Sequence, residues 1–178
     1  MIRPVVLYGD PVLREVSAEV NKGSKLDVDR LIDDMFETMH RANGIGLAAV
    51  QIGVPLRVFV VEAHIEEENF HFRGVFINPK ILKELGMDVK HPEGCLSVPG
   101  LAAMIERPEG IEMEWYDEKW AYHKEKFHGT AARILQHEYD HLEGKLYTDY
   151  LDTMWQKMFE TPLSLIEERK MEVTYLCK

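Results

Sequence analysis

From Asp27 to about Ala42 the apolar positions Val28, Leu31, Ile32, Met35, Phe36 and Met39 recur at three- and four-residue spacing, a helical stripe that Asn43-Gly44 ends. Elsewhere the period changes. Leu56 to Glu62 and Gly74 to Asn78 are runs rich in Val, Phe and Ile that read as strands, and Pro79 to Lys90 reads as a bent continuation. Ile111 to Tyr116 alternates apolar and polar, as does Ala121 to Phe127, with Asp117 to Trp120 turning between them, which predicts a hairpin. Gly129 opens a second helix over about Thr130 to Glu143, and Gly144 stops it. Strands and helices do not alternate regularly. The pattern therefore predicts an α+β fold, antiparallel β-sheets around a central helix, rather than a doubly wound sheet.

The end of the chain is patterned differently. Leu151 to Phe159 is expected to be helical, with Pro162 breaking it and a new helix over Leu163 to Lys170. Met171 to Leu176 has strand character. Met154, Trp155, Met158 and Phe159 recur at helical spacing, which signals packing. The expected organisation is one domain over residues 1–150, with residues 151–178 as a tail packed on it.

Composition narrows the class. The chain has 178 residues, enough for one domain with a sizeable core, and is 46% hydrophobic and 29% charged, as soluble globular proteins are. A formal charge of −10 argues against a sequence-specific or general nucleic-acid binder, which needs a basic face. The N-terminal apolar run is too short for a signal peptide, and no stretch approaches membrane-spanning length. With Cys95 taken up as a candidate ligand, Cys177 is left without a partner, so a disulfide framework is excluded and a reducing cytoplasm is expected.

Candidate chemistry lies on the second helix, in Gln136-His137-Glu138-Tyr139-Asp140-His141. Residues advance about 100° each, so His137 and His141 stand one above the other, able to reach one metal ion with Glu138 beside it. His-Glu-x-x-His on a helix is the signature of a hydrolytic metal site whose Glu is the general base. A third ligand is needed. Gly144 fits one peptidase pattern, but Tyr147 stands where that pattern has a third His. A second route takes a downstream Glu, with Glu160, Glu167 or Glu168 as candidates. A third takes Cys95 from Glu93-Gly94-Cys95-Leu96-Ser97, completing a Cys-His-His set with one open tetrahedral position. A further small-residue run, Gly44-Ile45-Gly46-Leu47-Ala48-Ala49-Val50-Gln51, ends in a lone amide; read alone it is a helix-terminating turn.

Together, Gly-x-Gly-x-Ala-Ala-x-Gln, Glu-Gly-Cys-Leu-Ser and Gln-His-Glu-x-Asp-His resemble, in order, the three signature motifs of the peptide deformylases, over roughly residues 4 to 150. The resemblance implies removal of the formyl group from N-formylmethionyl peptides and nascent chains, with release of formate. It implies Cys95, His137 and His141 as ligands of one divalent ion, Fe²⁺ first, with Zn²⁺, Ni²⁺ or Co²⁺ as substitutes. Glu138 becomes the proton carrier, and the Gln51 amide with the Leu96 backbone N–H the donors for the developing oxyanion. Gly46 and Gly94 present backbone groups to the peptide. Ile45, Ile134 and Thr130 are candidates for the methionine pocket, the last two preceding His137 by three and seven residues on one helical face. Glu93 and Asp140 are candidates to accept the histidines' other N–H groups.

Two departures from the family pattern stand out. Val50 replaces a proline common in the first motif, and Val98 to Ala103 lacks an arginine that several members carry there. Some deformylases dock on the ribosome through a basic C-terminal helix. Here residues 151–178 hold four basic residues (Lys157, Arg169, Lys170, Lys178) against five acidic ones (Asp152, Glu160, Glu167, Glu168, Glu172), so at most a weak ribosome association is expected.

Overall fold

Helix α1, Val28–Arg41, begins where the Asp27 carboxylate accepts from the Arg30 N–H at 2.9 Å, and its last turn carries His40 and Arg41. Its stripe is buried as the spacing requires, through Leu31, Ile32, Met35, Phe36 and Met39. Asn43, with φ +55°, turns the chain out of the helix. The structure, a computed structural model, describes residues 1–23, 27–65 and 70–178.

Five strands follow: β1 (Gly46–Ala48), β2 (Val58–Ile65), β3 (Phe70–Cys95), β4 (Val98–Tyr116) and β5 (Tyr122–His128). They form one sheet in sequence order, each neighbouring pair antiparallel. The α+β class thus holds, with a single sheet among the described residues where several were expected.

Strand β2 shows why its sequence runs apolar without alternation. Val58, Phe59, Val60 and Val61 are all buried, but consecutive side chains point to opposite faces. Val58 and Val60 pack with Leu47, Val75, Ile77 and the apolar stripe of α1. Phe59, Val61 and Ala63 pack with Ala48, Phe76 and the Ala132, Ile134 and Leu135 of helix α2 (Gly129–Leu142). A helix therefore covers each face of this part of the sheet. Ile111, Met113, Trp115 and Phe127 join the α2 cluster, so the core beneath that helix draws residues from all five strands.

The long strand β3 changes partners midway. Phe70 to Ile77 pair with β2, and the remainder to Cys95 pairs with β4. The bend is built by Asn78 at φ +49°, a conformation that asparagine tolerates, and by register shifts at Ile77/Lys80, Ile81/Lys83 and Leu85/Asp88. Asn78 is fixed there by its side chain, which accepts from the Val20 N–H at 2.8 Å and donates to the Val20 carbonyl at 2.9 Å. The expected hairpin forms, with Tyr116 opposite Tyr122.

The end of the chain departs from expectation. One helix, α3, runs over Thr153–Glu167 straight through Pro162. Pro162 forfeits one helical hydrogen bond, but Phe159 and Ile166, seven residues apart on one face, are both buried against Leu7, Val98, Ile105 and Tyr147. That shared burial outweighs the break. Residues 171–176 form no strand of the sheet; a single bridge, Val5 to Cys177, replaces the expected one.

Candidate metal centre

Three elements converge beside a cavity of about 750 Å³. Helix α2 carries His137, Glu138 and His141; the end of β3 carries Cys95; the segment from β1 through the 3-10 turn Ala49–Ile52 carries Gln51. One ligand atom each from Cys95, His137 and His141 lies within 4.8 Å of the other two. Cys95 Sγ is 3.3 Å from His141 Nε2. The alternative third ligands are elsewhere: Glu160, Glu167 and Glu168 are exposed on or at the end of α3.

Cys95 ends β3 at a two-residue connection, with Cys95 opposite Val98 across Leu96 and Ser97. Two donors point at its sulfur, the Ser97 N–H and Gln51 Nε2, both at 3.4 Å. Gln51 is buried and its amide is oriented from behind, because Oε1 accepts from the Ala48 N–H at 2.8 Å. That leaves Nε2 facing the sulfur and Ser97 Oγ, the latter at 3.2 Å.

Glu138 lies fully inside, against Gly46. A Cβ at Gly46 would collide with the Glu138 carboxylate, so this glycine is a space requirement of the neighbouring acid. Burial, partly countered by His137, lifts the Glu138 carboxyl to about 7. Among the described residues its Oε2 and His141 Nδ1, both buried, have no hydrogen-bond partner.

Behind the histidines stands a charged network. His137 Nδ1 and Glu93 Oε2 are 3.0 Å apart, which leaves His137 Nε2 for the site. Arg107 grips Glu93 with Nε (2.7 Å) and Nη2 (3.0 Å) and reaches Asp140 with Nη1 (2.6 Å). Arg133 Nη1 adds a third contact to Glu93 at 3.0 Å. Burial opposes the Glu93 charge, but the bonds from His137 and Arg107 prevail and hold its carboxyl well below the usual range. His137 is pushed up against burial by Cys95 and Glu93, whereas burial and the neighbouring His137 push His141 down. A thiol and two imidazoles, with a buried carboxylate beside them rather than among them, are a donor set that a divalent cation takes up, and a cation would favour neutral rings at both histidines.

Of the other sequence-nominated residues, Ile45, Gly46, Gly94, Leu96 and Ile134 line the cavity. Thr130 does not. It shares the helical face of His137 but sits about 10 Å along the axis, in the first turn of α2. Glu93 does meet a histidine, while Asp140 meets Arg107 instead. Arg107, Arg133, Ser97 and Tyr175 were not nominated. Ser97 lay within a recognised motif and carried a usable signal. The arginines had none, since their partners are visible only once β3, β4 and α2 are packed.

The family model for polypeptide deformylases matches residues 2–157. A peptide deformylase of Cytophaga hutchinsonii is 42% identical over 180 residues, covering 100% of this chain and 97% of its own. The crystal structure of peptide deformylase from Ehrlichia chaffeensis superposes with a TM-score of 0.86 at 35% identity, covering 96% of this chain and 97% of that one. That of Thermus thermophilus gives 0.84 at 37% identity, covering 95% and 99%.

Proposed function

The chain belongs to the polypeptide deformylase family, enzymes that remove the N-formyl group from nascent peptides, and from that premise we propose how its own residues divide the work. The observation that carries the proposal is the approach of Cys95, His137 and His141 ligand atoms to within 4.8 Å, with the Glu138 carboxylate buried alongside.

Cys95, His137 and His141 would hold a divalent cation. Bound there, it would supply Lewis acidity, lowering the pKa of water and polarising the formyl carbonyl. Glu138 accepts a proton from the attacking water and returns it to the methionine nitrogen as the C–N bond breaks, so formate and a free amine leave. A carboxyl that burial sets near 7 is suited to both halves of that transfer. The Gln51 Nε2 amide and the Leu96 N–H donate to the formyl oxygen as its charge grows. Gln51 needs no reorganisation, because the Ala48 N–H already fixes its amide. Gly46 and Gly94 leave backbone groups open to the peptide, and Ile45 with Ile134 receives the methionine side chain. Residues 1–150 form the catalytic body and residues 151–178 pack on it.

Thiolate and imidazole suit zinc and ferrous iron alike, so iron(II) is the proposed ion on the family resemblance alone. Iron-loaded protein should lose activity in air faster than zinc-loaded protein; equal, air-stable activities would reject iron. Two unpaired cysteines are consistent with a reducing compartment, and we place the enzyme in the cytoplasm.

Metal counting on two variants tests the assignment. Cys95→Ala should lose both metal and activity, because two histidines hold the ion weakly. Glu138→Gln should keep the metal and lose most of the rate. Full metal occupancy in Cys95→Ala would remove Cys95 from the ligand set.

A further inference from the structure

The segment after α3 passes along the cavity, where Glu172, Val173, Thr174 and Tyr175 form part of its wall. Backbone bonds pin its far end: the Val5 N–H donates to the Leu176 carbonyl and the Lys178 N–H to the Val5 carbonyl, both at 2.9 Å. The Val5–Tyr8 stretch is in turn tied to the site itself. Val6 N–H donates to the Gln51 carbonyl at 2.7 Å and Tyr8 N–H to the Ser97 carbonyl at 2.8 Å. From this anchored segment the half-buried Tyr175 hydroxyl donates to the Leu96 carbonyl. Both carbonyls of the connection after Cys95 are thus held by groups outside the three sequence motifs.

The Leu96 carbonyl oxygen and the Ser97 N–H are two ends of one planar peptide group. That N–H is the one aimed at Cys95 Sγ at 3.4 Å. Fixing the oxygen fixes the plane, and a hydrogen bond accepted by a carbonyl strengthens the donor at the other end of the amide. The same restraint limits rotation at Leu96, whose own N–H lies one bond pair away. A two-residue connection has few other restraints.

We propose that Tyr175 is a positioning residue: its hydroxyl holds the Leu96–Ser97 peptide so that the Ser97 N–H faces the Cys95 sulfur and the Leu96 N–H faces the formyl oxygen. The inference rests on the functional reading above. It makes the C-terminal segment part of the active site, although it lies outside the signature motifs and beyond the residues matched by the family model.

The test compares Tyr175→Phe with Tyr122→Phe, which deletes a hydroxyl bonded to Glu114 on the exposed β4–β5 hairpin. Three quantities are read on Co²⁺-loaded protein: kcat and KM for a formyl-Met tripeptide, the near-ultraviolet thiolate-to-Co²⁺ absorption band, and the rate of Co²⁺ transfer to a chelator. Tyr175→Phe should lower kcat about fivefold, the weight of one neutral hydrogen bond, with KM within about twofold. Its absorption band should shift and its Co²⁺ should leave faster, while Tyr122→Phe matches the wild type in all three. Tyr175→Leu guards against a packing effect. The two hydroxyl-less variants, assayed well below their melting temperatures, should share the kcat loss and the band shift. Wild-type kcat and an unshifted band in Tyr175→Phe would overturn the inference, as would effects that grow from Phe to Leu in step with lost stability. A wild-type protein that releases no formate would overturn the functional reading instead.

Discussion

Glu138 carries the sharpest consequence at the scale of a single residue. Its carboxyl is lifted to about 7 by burial, against about 4.3 in an unfolded chain. A raised carboxyl favours the fold at low pH and loses that contribution as pH climbs through 7. In metal-free protein, Glu138→Gln should therefore gain stability over the wild type between pH 5 and pH 8, by about 2–3 kcal/mol. That corresponds to roughly 5–10 °C in melting temperature, and metal loading should shrink the gain because a cation stabilises the charged carboxylate. An equal difference between the two proteins at both pH values would contradict the account. Gly46 offers a second residue-scale check. Gly46→Ala drives a methyl group into the Glu138 carboxylate, so kcat should fall about a hundredfold while bound metal stays stoichiometric. These residues were legible in sequence because their chemistry is local: His137, Glu138 and His141 share one helical face, and the glycines and Gln51 share one short run. The reason Gly46 is glycine was not legible. It depends on a side chain 92 positions away in the chain.

At the scale of elements, the site is a helix held against a hairpin by buried charge. Glu93 comes from β3, Arg107 from β4, and His137, Asp140 and Arg133 from α2, so one network joins the ligand-bearing elements. Removing one member strands the others. Arg107→Met should destabilise the protein by about 3–5 kcal/mol, with a melting temperature lower by on the order of 10 °C, because Glu93 and Asp140 lose their shared partner. Wild-type stability for Arg107→Met would show that Arg133 and His137 alone neutralise Glu93. Sequence pattern located α1, β2, the β4–β5 hairpin and α2 well, since the helices and the end of β4 bury a regular face and β2 is apolar on both of its faces. It failed where burial competes with local preference. Pro162 reads as a helix stop, yet Phe159 and Ile166 pack on either side of it and hold α3 together. The network itself left no pattern, because a buried arginine in an alternating strand looks like a solvent-facing one.

The molecule as a whole carries a formal charge of −10, and the C-terminal 28 residues add no basic surface to offset it. Attraction to ribosomal RNA should be weak and lost at modest salt. Removing residues after about Pro162 deletes Ile166 from its cluster and the Tyr175 segment from the cavity, so it should lower stability and kcat far more than it lowers ribosome co-sedimentation. A stably folded truncation that has lost ribosome binding would reverse that order. The most direct measurement of the central claim is formate release by protein purified without oxygen and loaded with one equivalent of Fe²⁺, compared on formyl-Met and acetyl-Met tripeptides. On the proposed roles, a carbonyl seated between the cation, Gln51 and Leu96 would have little room for a methyl group, and displacing it by about 1 Å costs about a hundredfold. The account expects rapid formate release from the formyl peptide and at least a hundredfold lower kcat/KM for acetate release from the acetyl peptide, with both lost in Glu138→Gln; equal kcat/KM for the two peptides, or wild-type rates in Glu138→Gln, would contradict it.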